Sequence, residues 1–249
     1  MKEIEERRPE APVDGDGQGG GGATAARLVE LAVDEHGVAT LRLGRRDEAL
    51  VTLTEARIDA LEAALRELAG RSGLRALVVT GPGPAMFCAG ADVNLIRDVT
   101  EPAAGEAAAR RGREVFQLLR ELPVPVVAAI EGPCLGGGLE LALFCDVRVA
   151  SDHPATRIGL PEVKLGIVPG FGGTQNLTRL VGLPQALGLI LEGRLLRGKQ
   201  ALKAGVVDRL VPSPKLLAAA HEEATRLVAR GRKAPPRRWR NSPCPITWI

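Results

Sequence analysis

Between Val124 and Ser151 the chain reads VPVVAAIEGPCLGGGLELALFCDVRVAS. Its middle part, Leu139 to Phe144, is apolar on nearly every side of a helix except at Glu140. A helix without a polar face must be covered all round. The run before it, PVPVVAAIEG, reads as a buried strand, and DVRVAS (146–151) after it as a short strand. A strand–helix–strand unit of this kind belongs in the interior of a layered α/β protein.

The rest of the chain extends the pattern. ARLVELAV and VATLRL flank the turn signal DEHG and predict a β-hairpin, with ordered sequence beginning near Ala26. In TLTEARIDALEAALRELAG, Ile58, Leu61, Leu65 and Leu68 share one helical face. Thr52 and Glu55 have the spacing of a capping box, and Gly70 can end the helix. LRALVVTG (74–81) predicts another buried strand, 103–121 a polar alanine-rich helix, VVDRLV (206–211) a late strand and HEEATRLVARG a further helix. No internal repeat is visible in the residues. The fold class is therefore α/β with mostly parallel sheets.

With 249 residues and 45% hydrophobic content, the chain suits one domain with a sizeable core, with or without tails. The division read here is a flexible Gly-rich segment at 1–25, a folded body at 26–230 and an irregular basic Pro/Arg/Trp tail at 231–249. The net charge of +3 is concentrated in ARGRKAPPRRWRN, so the body is close to neutral. Aromatics make up 2% and tyrosine is absent, which leaves little for a nucleic-acid interface to use. Cys88, Cys134, Cys145 and Cys244 show no metal or redox spacing, and read as free thiols in a reducing compartment. His36, His153 and His221 are scattered, HEEAT is not HExxH, and no metal site is expected. No apolar run is long enough to span a membrane, and the acidic N-terminus resembles neither a signal nor a transit peptide.

Two glycine loops carry the chemistry. Gly136, Gly137 and Gly138 open the apolar helix, whose first N–H groups have no partner within the helix. They can donate to an oxygen gaining negative charge, or they can simply let the helix pack closely on a strand. GPGPAMFCAGADVN (81–94) begins like a dinucleotide fingerprint, but Met86 stands at the third glycine. Its small residues leave the Ala91 amide accessible, and a pair of amides from two loops suits an enolate or tetrahedral oxyanion. Glu140 is either a proton-transfer group tuned by burial or a carboxylate that complements the helix dipole. Glu162, in IGLPEVKLGIVPGFGGTQ, is either its partner or a surface group paired with Lys164. A glycine-rich turn from Pro169 to Gly173 follows. There is no GxSxG and no nucleophile with a base, so covalent acyl transfer is disfavoured.

FCAGAD, GPCLGGGLELALFCDVRVAS, GLPEVKLGIVPGFGGTQNLTRLVG and ALKAGVVDRLV closely resemble the enoyl-CoA hydratase/isomerase (crotonase) family, over roughly Arg27 to Arg230. The stretch from Glu162 to Val211 looks most like the hydratase part of multifunctional fatty-acid oxidation α subunits. The resemblance implies a ββα spiral and hydration of a trans-2-enoyl-CoA, with no cofactor beyond the coenzyme A of the substrate. By residue match, Glu140 and Glu162 would be catalytic and the amides of Ala91 and Gly137 would form an oxyanion hole. Substrate contacts would fall on Ala49, Leu50, Ala91, Asp92, Val93, Asn94, Gly137, Pro161, Pro169 and Gly170. Val51 stands where an asparagine is common, and Asn94 replaces a frequent basic or other polar residue. The family continues into C-terminal helices that cover the acyl pocket and support trimers, whereas that region looks truncated here. The expected assembly is a homotrimer or hexamer if those contacts survive, and the expected location is cytoplasmic. The alternatives are enoyl-CoA isomerisation or another crotonase-type reaction, and a non-catalytic acyl-CoA-binding subunit completed by a partner.

Overall fold

A computed structural model describes residues 28–92, 97 and 100–231. The Gly-rich segment 1–25, Cys244, the tail beyond Gly231 and the contacts expected of Val93 and Asn94 lie outside the described residues.

β1 (Val29–Val33) and β2 (Val38–Leu43) form the expected antiparallel hairpin. Its turn is held by the Asp34 carboxylate, which accepts from the amides of His36 and Val38, both at 2.9 Å. β3 (Ala76–Thr80), β4 (Val126–Ile130), β6 (Val147–Ser151) and β8 (Arg209–Val211) then add in parallel. The main sheet runs β1-β2-β3-β4-β6-β8. β3 and β4 are buried throughout because apolar groups cover both faces. Leu77 and Val79 join the large core, while Ala76 and Val78 face α7 (Leu216–Ala229) through Leu216, Ala220 and Leu227.

A second, smaller layer lies beyond the carboxyl ends of these strands. Residue 53 bridges to residue 91, and residue 88 bridges to residue 134. β5 (Pro133–Leu135) pairs with β7 (Arg157–Gly159). Each turn thus runs long strand, short extended segment, helix. β2 leads to α1 (Glu55–Ala69), β3 to α2 (Pro102–Glu121), and β4 to α3 (Gly137–Phe144). The sequence shows no repeat, yet the backbone repeats this unit. The recurring feature is the path of the chain, and side chains differ at each turn. α4 (Gly173–Val181), α5 (Leu183–Glu192) and α6 (Gly198–Lys203) follow. No helix among the described residues is long and apolar enough to cross a membrane.

Three local readings need correction. Thr54, not Thr52, caps α1, its hydroxyl accepting from the Arg57 amide. Thr52 instead precedes the Leu53 bridge, and its carbonyl takes a bond from the Arg57 guanidinium. The late strand is only Arg209–Val211, because the amides of Val206 and Val207 turn back to the Ala201 carbonyl. The last helix begins at Leu216, a turn before HEEAT. Cys88, Cys134 and Cys145 are buried free thiols, as expected.

One ion pair ties the edge of the sheet. Arg148 on β6 is buried and donates to Asp208 Oδ2 (2.6 Å) and to the carbonyls of Cys145 and Val206. Removing Asp208 would strand a buried cation, a change that typically costs about 3–5 kcal/mol. Asp208→Ala is therefore expected to lower the urea midpoint by a corresponding amount, while Glu35→Ala at the exposed hairpin turn leaves it nearly unchanged.

Candidate active site

Three loops leave the carboxyl ends of the adjacent parallel strands β2, β3 and β4, where open parallel sheets place their ligands. They are residues 44–53, 81–92 and 131–136. The first is pinned from below by Arg57 of α1, a buried cation that pairs with Glu48 and donates to the Thr52 carbonyl. The second is stitched to both neighbours. Ala89 N–H donates to Val51 O (2.8 Å), Leu53 N–H to Gly90 O (2.8 Å), and Leu135 N–H to Cys88 O (3.0 Å).

These stitches bring the glycine loops together. Gly90 has φ 102°, and a Cβ there would stand 2.8 Å from Leu135 O and 3.4 Å from Gly137 N. Only a glycine permits that conformation and that approach. Gly90, which precedes Ala91 in the chain, therefore lies against the first residue of α3. The helical ladder starts with Glu140 N–H on Gly136 O (2.9 Å). Among the described residues, neither the Ala91 nor the Gly137 N–H has an acceptor. Close packing also operates, at Gly138, where a Cβ would fall 2.4 Å from Cys88 O.

Glu140 is 2% exposed. Its Oε1 accepts from Phe171 N–H (2.8 Å) and Gly173 N–H (2.7 Å), so the N-terminus of α4 and the turn before it grip one oxygen. Burial pushes its pKa up to about 8; the Gly173 bond opposes this, and the nearby Glu162 charge adds to it. Glu162 opens a 3₁₀ turn, Glu162–Leu165, behind Pro161. It is 8% exposed, which excludes the surface pairing with Lys164. A Cβ on Gly136 would stand 3.2 Å from Glu162 Oε1, so this carboxyl lies against the start of α3. Its Oε2 is buried with no hydrogen-bond partner among the described residues, and burial raises its pKa to about 7.

The remaining expected contacts sort by position. Ala49 and Leu50 are exposed, and Asp92 is partly covered. Val51 has its side chain in the core, so this position offers packing where an amide side chain would offer polar contact. Pro169 is buried, with Gly170 beside it against Ala109 of α2. Pro161 backs Gly193. Sequence reasoning missed two contributors. Arg57 hides on the apolar face of α1, where a charge gives no periodic signal. The Phe171 and Gly173 amides are backbone groups, and their only trace was the glycine pair ahead of Thr174.

A mostly parallel sheet, a second layer of short segments and glycine loops at its carboxyl ends together define a crotonase-fold protein. Solved structures agree. The chain superposes on an enoyl-CoA hydratase from Bacillus anthracis with a TM-score of 0.74 at 35% identity, covering 81% of this chain and 76% of that one. A fatty acid oxidation complex subunit alpha from Vibrio vulnificus is 50% identical over 207 residues, 83% of this chain and 29% of that protein. The corresponding subunit from Idiomarina loihiensis is 43% identical, over 82% of this chain and 29% of that protein. Residues 34–235 match the enoyl-CoA hydratase/isomerase family, and the chain belongs to it. It spans less than a third of the length of these curated relatives.

Proposed function

We propose that the chain hydrates trans-2-enoyl-CoA to 3-hydroxyacyl-CoA in fatty-acid β-oxidation, in the cytoplasm. This reading is supported by the burial of Glu140 and Glu162 near the start of α3, with the Gly90 backbone packed against Gly137 and the Ala91 and Gly137 amides without acceptors among the described residues. The Ala91 and Gly137 amides hold the thioester oxygen, which gains charge as the enolate forms. Each such donor is worth about 3 kcal/mol to the transition state. Glu140, with one oxygen gripped by Phe171 and Gly173, takes a proton from water as the oxygen attacks the β carbon. Glu162 delivers the proton to the α carbon. Burial places both near neutrality, so each can hold or release a proton at working pH. The remaining lining expected of Pro161, Pro169, Gly170, Ala49 and Leu50 seats the rest of the thioester.

A second reading has a specific observation behind it. Leu183, Leu187 and Leu191 make an exposed apolar stripe on α5, and Leu165 and Val168 are exposed close to Glu162. An acyl-CoA-binding subunit completed by a partner would cover them. One experiment separates the two: purified protein is mixed with a short trans-2-enoyl-CoA and the conjugated thioester absorbance is followed. Loss of absorbance is expected from this chain alone. Tight acyl-CoA binding without turnover would transfer the case to the second reading.

A further inference from the structure

The turn that grips Glu140 reads Gly170-Phe171-Gly172-Gly173. Three glycines around one side chain leave this backbone loose unless that side chain is anchored. The Phe171 ring stands between two further glycines. A Cβ on Gly112 of α2 would lie 2.7 Å from Cδ1 and Cε1 of the ring. A Cβ on Gly137 would lie 3.2 Å from Cδ2 and Cε2. Opposite edges of one ring thus bear on the backbone of α2 and on the first residue of α3. Phe116, one turn along α2 from Gly112, meets the ring edge-on at 5.5 Å between centroids and 89°. Phe116 rests in turn on Phe144 at the end of α3. A strip of α2 formed by Ala109, Gly112 and Phe116 is therefore the seat of the turn.

We propose that the Gly112 notch and the Phe171 ring form a positioning lock for Glu140. The seated ring fixes where the Phe171 amide stands, and that amide holds Oε1 so that Oε2 is left for the reacting water. Gly112 and the ring are positioning groups, since they act through the amide. The charges that act on Glu140 are Glu162 from the 3₁₀ turn and Arg113 from α2, next to the notch. From the α4 side it meets amide N–H groups. The rate arm of the test rests on the hydration reading above; the titration arm does not.

Gly112→Ala puts a methyl group into the ring and must push the turn away. A misplacement near 1 Å typically costs about 100-fold in rate, so kcat is expected to fall about 10–100-fold with KM within about twofold. The amide bond from Phe171 lowers the Glu140 pKa, so its loss moves the titration above about 8. Carboxyl ¹³C NMR reads that shift without turnover. Gly112→Ala combined with Phe171→Leu makes room again and is expected to restore both kcat and titration. Phe171→Ala needs no space and removes the anchor. There the amide of position 171 is expected to exchange with solvent at least about tenfold faster than in the wild type. Unchanged titration and kcat in Gly112→Ala, or losses that Phe171→Leu does not rescue, would overturn the lock. Should Gly112→Ala fail to fold, unchanged amide exchange in Phe171→Ala overturns it instead. A wild type without hydratase turnover but with a shifted Glu140 titration in Gly112→Ala would retain the lock and remove only the hydration reading.

Discussion

Glu140→Gln is expected to lower kcat for enoyl-CoA hydration by about 10²–10⁴-fold, the range for a general acid–base group, with KM little changed. Glutamine keeps an oxygen for the Phe171 and Gly173 amides, so the geometry survives while the basic oxygen is lost. Glu162→Gln is expected to fall in the same range. Wild-type rates in both variants would defeat the catalytic assignment. In the wild type the rate follows the form with Glu140 ionised and Glu162 protonated, a minority form because Glu140 holds its proton more tightly, and that form is most populated between the two titrations. The profile is then a narrow bell with apparent limbs near 7 and 8 that belong to the pair.

The same substitution has an opposite effect on stability. Both carboxyls titrate higher in the folded protein than the ordinary value of 4.5. The folded state therefore binds more protons than the unfolded state between those values. Their contribution is fully present below about pH 4.5 and is lost as pH rises through about 7 to 8. Each pH unit of difference is worth about 1.4 kcal/mol, so ionising Glu140 in its buried site costs on the order of a few kcal/mol. Glu140→Gln removes that cost. It is expected to melt several degrees above the wild type at pH 9, at about 2–4 °C per kcal/mol, with the difference closing at pH 5. A variant no more stable than the wild type at pH 9 would show that Glu140 is not desolvated as described.

Gly90→Ala is the second large effect. Alanine at φ 102° is strained by about 1–3 kcal/mol. Its Cβ would also press on Leu135 O, 2.8 Å away, and lean on Gly137 N. The two amide-bearing loops must separate, and one donor leaves the oxyanion. Loss of one donor costs about 10²–10³ in kcat. Acyl-CoA affinity should weaken far less, because most of the contact surface lies elsewhere. A urea midpoint lowered by the strain alone, with kcat near wild type, would mean that these amides do not share one oxygen.

Much of the scaffold was legible because its signals are local. The hairpin shows as two β-prone runs around DEHG, and α1 shows as apolar residues at helical spacing. β3 and β4 show as unbroken apolar runs. The second layer did not show, because β5 and β7 are three residues each and no period can be read from three residues. The cap falls two residues later than the Thr52–Glu55 spacing predicts: Thr52 and Thr54 carry the same hydroxyl, but Thr54 stands directly before the first helical residue, where its hydroxyl reaches the Arg57 amide. Glu140 announced itself as a charge without a polar face. Glu162 did not, because its neighbours Lys164 and Gly166 read as surface, and its burial comes from α3 and α5, distant in sequence.

Residue pattern alone thus settles which segments are buried strands, which helix is enclosed, and where the backbone is bare enough to approach a ligand. Those properties follow from side-chain polarity and from glycine's freedom, which act within a few residues. The fold settles that Gly90 touches Gly137, that Phe171 holds Glu140, and that Glu162 reaches Gly136. Such meetings depend on the order and register of parallel strands joined by long crossovers. Apolar runs that are equally apolar on both faces leave that register open until the whole sheet has formed.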